Sequence, residues 1–245
     1  MMKSQSKIII IGLDILQISS DFLLSIFYPK HCVGCGKYGS YLCFKCADKV
    51  EPIVTSTCPE CGKIIKMGKF CPNCKQKLKT KLSGILVSAR YEIGPTREMI
   101  HHLKYSGFIE VADMLAEMMI MRIKRENLSK ETLLVPVPLY KSRQSERGFN
   151  QSELLAKYIS KKTNIPHKNA LVRDKSTPTQ VSLSGAERRE NLNGAFCCID
   201  KRSIKGKNIL LVDDVTTTYS TLNECAKELI SAGAKRVYGL VVAKG

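Results

Sequence analysis

Residues 208–222 read NILLVDDVTTTYSTL, and this stretch decides the fold that we expect for the larger part of the chain. The branched apolar run at 209–212 is typical of a strand that is buried on both faces of a sheet. Two adjacent carboxylates, Asp213 and Asp214, follow the run, and hydroxyl-rich residues at 216–221 lead into a helix. Ligands of open α/β sheets bind at the carboxyl ends of strands, where a helix N-terminus accepts phosphate. The stretch therefore predicts a phosphate-binding turn in an α/β domain.

The paired carboxylates favour a sugar ligand in addition to the phosphate. Asp213 and Asp214 are placed to accept hydrogen bonds from sugar hydroxyls, either directly or through Mg²⁺. A structural interpretation stays open, in which a Thr or Ser caps the helix and the two acidic residues favour its dipole.

Similar patterns extend on both sides of this stretch. Three more runs, at 84–91, 133–138 and 236–242, are predicted strands. Helices are expected at 95–105, where Pro95 opens the helix, and at 109–124, 150–161 and 221–232, where Gly233 ends the helix. Alternating strands and helices predict a mainly parallel sheet with right-handed crossovers.

The cysteines mark a second module ahead of this domain. Eight of the 11 cysteines form four C-x-x-C pairs, namely Cys32/Cys35, Cys43/Cys46, Cys58/Cys61 and Cys71/Cys74. A two-residue spacer lets both thiolates reach one ion, and Gly36 and Gly62 allow the close backbone approach of a zinc knuckle. The pattern predicts two closed, structural four-sulfur sites, with zinc favoured over iron, which binds the same ligands.

Adjacent pairs close the shortest loops, so we assign the first two pairs to one ion and the last two to another. A cross-braced pairing is the alternative. Disulfides and redox-active pairs are the other interpretations of such cysteines, and the sequence has no secretory signal that would favour disulfides. His31 adjoins Cys32 but is surplus to a full ligand set, so we interpret it as a loop residue.

These patterns predict three segments: an amphipathic helix at 1–29, a double zinc ribbon at 30–81 and the α/β domain at 82–245. The ribbon has few large aliphatic residues, and metals usually stabilise modules of this size. In the first segment, Asp14, Gln17 and Asp21 interrupt the apolar stretch at 8–27. This interruption favours a helix packed on the protein over membrane insertion, and we expect a cytoplasmic protein.

The net charge points to a polyanionic partner. The chain carries a formal +17, and residues 30–81 hold 11 lysines against three carboxylates. Lysine-rich surfaces attract phosphates at long range, so the ribbon is the favoured nucleic-acid face. A solvated surface that only keeps the protein soluble is the alternative.

The sequence also resembles a known family. The segment VDDVTTTYST at 212–221 resembles the phosphoribosyl diphosphate signature of type I phosphoribosyltransferases. The order from CVGCG through LKYSG, PVPLYKSRQSERGFNQ and TQVSLSGAERRENLNGAF to this signature resembles the ComF family, linked to DNA uptake during natural competence. The resemblance covers nearly the whole chain and implies a double zinc ribbon followed by a phosphoribosyltransferase-like parallel sheet with flanking helices.

The resemblance also implies roles for individual residues. Asp213 and Asp214 would be the catalytic carboxylates that hold the ribose hydroxyls, with Mg²⁺ accompanying the diphosphate. Arg143 and Arg147 would belong to the pyrophosphate loop. A mobile flap would include Gln180, Arg188, Arg189 and Asn191, and the phosphate cradle would consist of Thr216, Thr217, Thr218, Tyr219, Ser220 and Thr221.

Tyr219 departs from the family pattern. Family members usually carry Gly at this position, where the backbone approaches the phosphate. A bulky residue at positive φ is uncommon. We expect either a recast loop or weak diphosphate binding.

Three functions follow from these features. The first is a DNA-uptake factor that binds phosphoribosyl diphosphate and single-stranded DNA, with a DNA-uptake helicase or other competence proteins as partners. The second is an active phosphoribosyltransferase in nucleotide metabolism, in which His101 and His102 could assist, although a helix-face histidine is more often structural. The third is a non-catalytic adaptor whose ribbon binds a partner protein.

Overall fold

A computed structural model describes residues 29–91, 94–105, 109–174 and 193–245. The expected amphipathic helix at 8–27 and the expected flap residues Gln180, Arg188, Arg189 and Asn191 lie outside these ranges. The chain forms two compact units, the first ending at Asp48 and the second running from Lys49 to Gly245. The boundary at residue 81 stays a prediction from sequence composition.

The larger unit is built on a parallel sheet, which confirms the predicted fold class. Its strands follow the order β1-β6-β5-β2, and every neighbouring pair is parallel. Two further strands, β3 and β4, pair antiparallel in a separate small sheet. The six strands are β1 (Gly84–Arg90), β2 (Thr132–Pro136), β3 (Leu171–Arg173), β4 (Phe196–Cys198), β5 (Asn208–Thr216) and β6 (Arg236–Lys244).

The described α-helices are α1 (Phe44–Ala47), α2 (Pro72–Leu78), α3 (Thr96–Tyr105), α4 (Glu110–Ile123), α5 (Lys141–Arg147), α6 (Gln151–Thr163), α7 (Lys201–Ile204) and α8 (Ser220–Ser231). The sequence predicts four of them, α3, α4, α6 and α8, each within two residues of the observed bounds. Asn150 caps α6, because its side chain accepts a hydrogen bond from the Ser152 amide at 3.0 Å. Gly233 follows α8 with φ of 96°, as expected of a glycine that ends a helix.

Helices cover the sheet as a parallel sheet requires. Helix α4 packs against α6 and β1, and α6 packs against β2 and β5, whereas α8 packs against β4, β5 and β6. Alternate residues of a strand point to opposite faces. Ile209 and Leu211 of β5 accordingly share one buried cluster with Leu222 and Ala226 of α8.

The second half of the cysteine-rich segment belongs to the larger unit. The Phe70 amide donates a hydrogen bond to the Ser83 carbonyl at 3.2 Å, immediately before β1. A Cβ at Gly84 would collide with the Gly68 backbone, so this contact requires glycine. Farther along, Arg122 of α4 donates to the Ser56 hydroxyl at 2.8 Å. The second half of the cysteine-rich segment is therefore attached both to the start of β1 and to α4.

Candidate functional site

The first cysteine tetrad has the geometry of a four-sulfur metal site. Cys32, Cys35, Cys43 and Cys46 bring their sulfurs within 4.8 Å of one another. A tetrahedron with metal–sulfur bonds of about 2.3 Å has edges of about 3.8 Å, and the Cys35 and Cys43 sulfurs lie 3.6 Å apart. The Cys43 amide donates to the Cys32 sulfur at 3.3 Å, as expected for a thiolate ligand.

The second tetrad repeats this geometry inside the larger unit. Cys58, Cys61, Cys71 and Cys74 also cluster within 4.8 Å, and the Cys61 and Cys71 sulfurs lie 3.8 Å apart. Burial raises the pKa of the Cys58 thiol, but hydrogen bonds from backbone amides, first that of Cys71, outweigh burial and lower it to about 6. A thiol with this pKa binds metal readily near neutral pH.

The two tetrads confirm the sequential pairing and exclude the cross-braced one. Gly36 and Gly62 each have φ of 73°, so the turn after the first pair of each tetrad uses the conformational freedom of glycine. Both tetrads have four ligands and leave no open coordination position, which is typical of structural zinc. The residues therefore fit two zinc ions, whose chemistry is to stabilise the fold.

The predicted phosphate-binding turn joins β5 to α8. Strand β5 ends at Thr216, and α8 begins at Ser220 after three non-helical residues. The N-cap position is held by Tyr219, whose side chain makes no capping hydrogen bond. The alternative of a Thr or Ser N-cap is thus not what the structure shows. Because Tyr219 leaves the first amides of this 12-residue helix uncapped, they can donate hydrogen bonds to an anion.

Tyr219 adopts a left-handed backbone conformation, which glycine favours. Its φ of 60° and ψ of 0° lie in the left-handed region. The turn is therefore not recast to avoid positive φ. The side chain is buried with 6% exposure, and its hydroxyl donates to the Pro59 carbonyl at 2.9 Å. Burial, and secondly the Glu60 carboxylate, raise the pKa of Tyr219, so the hydroxyl remains protonated.

The two carboxylates at the end of β5 differ in their partners. Asp213 accepts a hydrogen bond from the Ser152 hydroxyl at 2.9 Å, whereas Asp214 forms an ion pair of 2.9 Å with Lys104 of α3. Burial, followed by repulsion from Asp214, raises the pKa of Asp213 to about 7. Burial would lower the pKa of Lys104, but the Asp214 carboxylate outweighs burial and raises it.

One side-chain oxygen of Asp214 has no hydrogen-bond partner in the part of the chain that the structure describes. Its Oδ1 pairs with Lys104 and accepts a hydrogen bond from the Val215 amide at 2.6 Å. Its Oδ2 is buried and has no hydrogen-bond partner among the described residues. Buried oxygens are rarely left unpaired. The arrangement provides an acceptor for a ligand hydroxyl or for a hydrated cation such as Mg²⁺, and the hard oxygen donors fit that ion.

Of the two arginines in α5, Arg147 lies near this site. Arg147 donates to the Gln151 side chain at 3.2 Å, and its guanidinium lies 5.2 Å from the Tyr105 ring centre. Its charge also opposes that of Lys104, so the two cations are near each other. Arg143 is placed differently, because its charge, after burial, contributes to lowering the pKa of Arg173 in β3.

The structure thus brings some of the predicted site residues together and adds two that sequence reasoning missed. Asp213, Asp214 and the turn share one end of β5, and Arg147 lies near Lys104. These two are Lys104, which belongs to the LKYSG segment that carries the family resemblance, and Ser152. That resemblance was the available signal for Lys104. Ser152, in the first turn of α6, had no comparable signal.

The chain is similar to known proteins over most of its length. A family described as "Double zinc ribbon domain" matches residues 23–78. Competence protein F of Haemophilus influenzae is 31% identical over 221 residues, which cover 82% of this chain and 96% of that protein. DNA utilization protein YhgH of Escherichia coli O157:H7 is 33% identical over 186 residues, which cover 74% of this chain and 80% of that protein.

Among solved structures, the allosteric regulatory enzyme of purine biosynthesis matches with a TM-score of 0.38 and 19% identity. The match covers 54% of this chain and 26% of that enzyme, so the chain spans about a quarter of the enzyme's length. Separately, none of the helices within the described ranges is long and apolar enough to cross a membrane.

Proposed function

The chain belongs to the ComF family of competence proteins, and we propose that it acts in DNA uptake as a cytoplasmic protein that binds phosphoribosyl diphosphate and single-stranded DNA. The observation that carries the ligand half of this proposal is the pair Asp213 and Asp214. These carboxylates stand at the carboxyl end of a central parallel strand, where ligands of such sheets bind, and one buried oxygen of Asp214 has no partner among the described residues.

The turn after this strand provides the phosphate half of the site. The 5′-phosphate would accept hydrogen bonds from the amides at the start of α8 and from the hydroxyls of Thr217, Thr218, Ser220 and Thr221. Thr218 and Ser220 already lie within 3.0 Å of each other through their hydroxyls. Arg147 and Arg143 would bind the diphosphate, because a guanidinium pairs with two phosphate oxygens at once. Mg²⁺ would neutralise the diphosphate beside Asp213 and Asp214.

The basic character of the chain supports the nucleic-acid half. Its formal charge is +17, and the similar proteins bear names that refer to competence and to DNA utilization. A DNA strand bound through phosphates releases counterions, so its affinity falls steeply with salt. We also propose that the chain binds a protein partner during DNA uptake, either a DNA-uptake helicase or another competence protein.

Calorimetric titration of phosphoribosyl diphosphate with Mg²⁺ tests the ligand site. The native protein should bind, and Asp213→Asn together with Asp214→Asn should weaken binding at least tenfold. Asp113→Asn is the matched control, because it removes one exposed carboxylate from α4 and should leave the affinity unchanged. If the native protein releases no heat beyond dilution, the ligand assignment is wrong.

Fluorescence anisotropy with a labelled single-stranded oligonucleotide tests the DNA half. The affinity should fall at least tenfold between 50 and 200 mM salt, on the order expected for several phosphate contacts. Expression in a Haemophilus influenzae strain that lacks Competence protein F tests the role in uptake. Restored transformation is the expected result, and a purified protein that binds neither ligand nor DNA would favour the adaptor instead.

A cavity favours a second candidate function, phosphoribosyl transfer to an acceptor. The cavity has a volume of about 580 Å³ and is lined by Arg90, Tyr91, Lys244 and Gly245, among others, at the carboxyl ends of β1 and β6. Gly245 also adjoins Thr217 of the phosphate turn. A base or amine held there would lie beside the same turn. Pyrophosphate release on addition of an acceptor would support this function, and the absence of release with a panel of nucleobases and amines would oppose it.

A further inference from the structure

The side chain of Tyr219 joins the phosphate turn to the second cysteine tetrad. Its hydroxyl donates to the Pro59 carbonyl at 2.9 Å, and its ring meets the Phe70 ring edge-on, with 5.5 Å between centres. Pro59 directly follows Cys58, and Phe70 directly precedes Cys71. Tyr219 therefore contacts the neighbours of two metal ligands, one from each pair of the tetrad.

Two more residues, Lys244 and Asn223, make contacts on either side of the turn. Lys244, in the last position of β6, donates to the Pro59 carbonyl at 2.7 Å, and its ammonium lies 5.2 Å from the Tyr219 ring centre. On the other side of the turn, the Asn223 side chain of α8 accepts hydrogen bonds from the Thr80 hydroxyl at 2.9 Å and the Lys81 amide at 2.8 Å. The turn is thus attached to the knuckle through Tyr219, and α8 is attached through Asn223 to the segment that joins α2 to β1.

These contacts explain how a tyrosine can occupy the position. The left-handed conformation is unfavourable for a residue with a Cβ, and it persists only where the surroundings hold it. For Tyr219, those surroundings are Phe70, the Pro59 carbonyl and Lys244. The left-handed conformation of Tyr219 is therefore stabilised by two neighbours of the second tetrad, Pro59 and Phe70, and by Lys244.

We propose that Tyr219 is a positioning residue that couples metal binding at the second tetrad to phosphate binding at the turn. With the metal bound, the Pro59 carbonyl and the Phe70 ring are fixed, and they hold Tyr219 in the left-handed conformation. Without the metal, both lose their fixed positions, and the turn is free to relax into conformations that present fewer amides to the phosphate. The inference rests on the proposed binding of phosphoribosyl diphosphate.

Thermodynamic linkage makes this coupling reciprocal, because each ligand changes the affinity for the other by the same factor. Phosphoribosyl diphosphate should therefore slow the loss of zinc from Cys58, Cys61, Cys71 and Cys74. Tyr219→Gly should separate ligand binding at the turn from zinc retention at the second tetrad. Glycine adopts the left-handed conformation without strain, so the turn can still bind phosphate, but no side chain reaches the knuckle.

The experiment is cysteine alkylation in the presence of a zinc-selective chelator, followed by peptide mass spectrometry. This readout reports each cysteine separately, with the first tetrad as the reference rate in the same sample. In the native protein, saturating phosphoribosyl diphosphate with Mg²⁺ should slow alkylation of the second tetrad about fivefold or more. In Tyr219→Gly, the ligand should bind and leave the rate unchanged.

Two further variants make the result specific. Tyr219→Phe keeps the ring and loses the hydrogen bond to Pro59. In this variant the ligand should slow alkylation of the second tetrad less than in the native protein but more than in Tyr219→Gly. Ser56→Ala is the matched control, because Ser56 links this knuckle to Arg122 of α4 and to Glu126, away from the turn. In Ser56→Ala, the ligand should slow alkylation of the second tetrad as much as it does in the native protein.

The outcomes separate the inference from the proposed function. If calorimetry shows that the native protein binds no phosphoribosyl diphosphate, the proposed function fails and the inference fails with it. If the ligand binds and slows alkylation equally in the native protein and in Tyr219→Gly, the inference alone is overturned. Equal slowing in Tyr219→Phe and the native protein, with none in Tyr219→Gly, would support coupling through the ring.

Discussion

Replacing Lys104 by methionine should destabilise the protein in a pH-dependent way. Lys104 forms an ion pair of 2.9 Å with Asp214, and only 22% of the lysine side chain and 4% of the aspartate side chain are exposed. Methionine has a similar length and fills much of the same space. The substitution therefore removes the charge and leaves Asp214 buried beside Asp213 without an ion-pair partner among the described residues.

The distance and burial set the size of the effect. At 2.9 Å and an effective dielectric constant of about 20, the attraction between the two charges is ~6 kcal/mol. Bringing the lysine out of water offsets part of this attraction. Removal of one partner from a buried pair typically costs about 3–5 kcal/mol. Because the lysine is partly exposed, we expect a loss of about 3 kcal/mol in the free energy of unfolding at pH 8.

The loss should shrink as the pH falls. The Lys104 charge also lowers the pKa of Asp213, which lies at about 7, so removal of Lys104 raises this pKa farther above its unfolded value of about 3.9. This part of the loss is absent at pH 5, where Asp213 is protonated in the folded native protein and in the folded variant, and it grows as the pH rises from about 7 towards the raised pKa. Urea denaturation should accordingly show a smaller loss at pH 5 than at pH 8.

Lys157→Met is the matched control. Lys157 pairs with Glu153 at 2.7 Å, but its side chain is 54% exposed, so removal of its charge should cost about 0.5 kcal/mol or less. A Lys104→Met loss below 1 kcal/mol at pH 8, or an equal loss at both pH values, would refute the buried-pair interpretation.

Three other predictions concern the carboxylates, the knuckle attachment and the metal. Burial and the Asp214 charge raise the pKa of Asp213 to about 7. The Asp213 carboxylate therefore destabilises the folded protein at pH values above the unfolded pKa, and this destabilisation grows until about pH 7. Asp213→Asn should therefore raise the free energy of unfolding in urea by up to ~4 kcal/mol at pH 8 and by less at pH 5. Arg122→Met should cost about 3–5 kcal/mol in the same assay, because it leaves the buried Glu126 without its cation, and an added Glu126→Met should recover at least half of that loss. Cys58→Ser should lower the bound zinc, measured by elemental analysis, from about two ions per chain to about one.

Much of the fold follows from local sequence. The runs at 133–136 and 209–212 are continuous and branched, because these strands are buried on both faces, and this composition alone identifies them. The cysteine tetrads are equally local, since a two-residue spacer fixes which sulfurs can share an ion. By contrast, β3 and β4 have three residues each, too few to show an alternating pattern. Helix α5 has the sequence KSRQSER, which has no apolar periodicity to reveal it.

The candidate site is only partly local. The adjacent carboxylates Asp213 and Asp214 are visible in the sequence because they directly follow a buried strand. Lys104 reaches Asp214 from a helix that lies far away in the chain, and the buried tyrosine at position 219 depends on a carbonyl in the knuckle. Such contacts depend on how the elements pack together, and neither spacing nor composition encodes them directly.

The strand order also has a kinetic consequence. Strand β1 pairs with β6, with Gly84 opposite Tyr238, although β6 follows all the other strands of the sheet in sequence. During synthesis on a ribosome, β1 and β5 would both wait for β6 before the centre of the sheet could close. Pairings over such long sequence separations slow folding. The apolar edges of β1 and β5 would be open to chaperones until that last strand emerges.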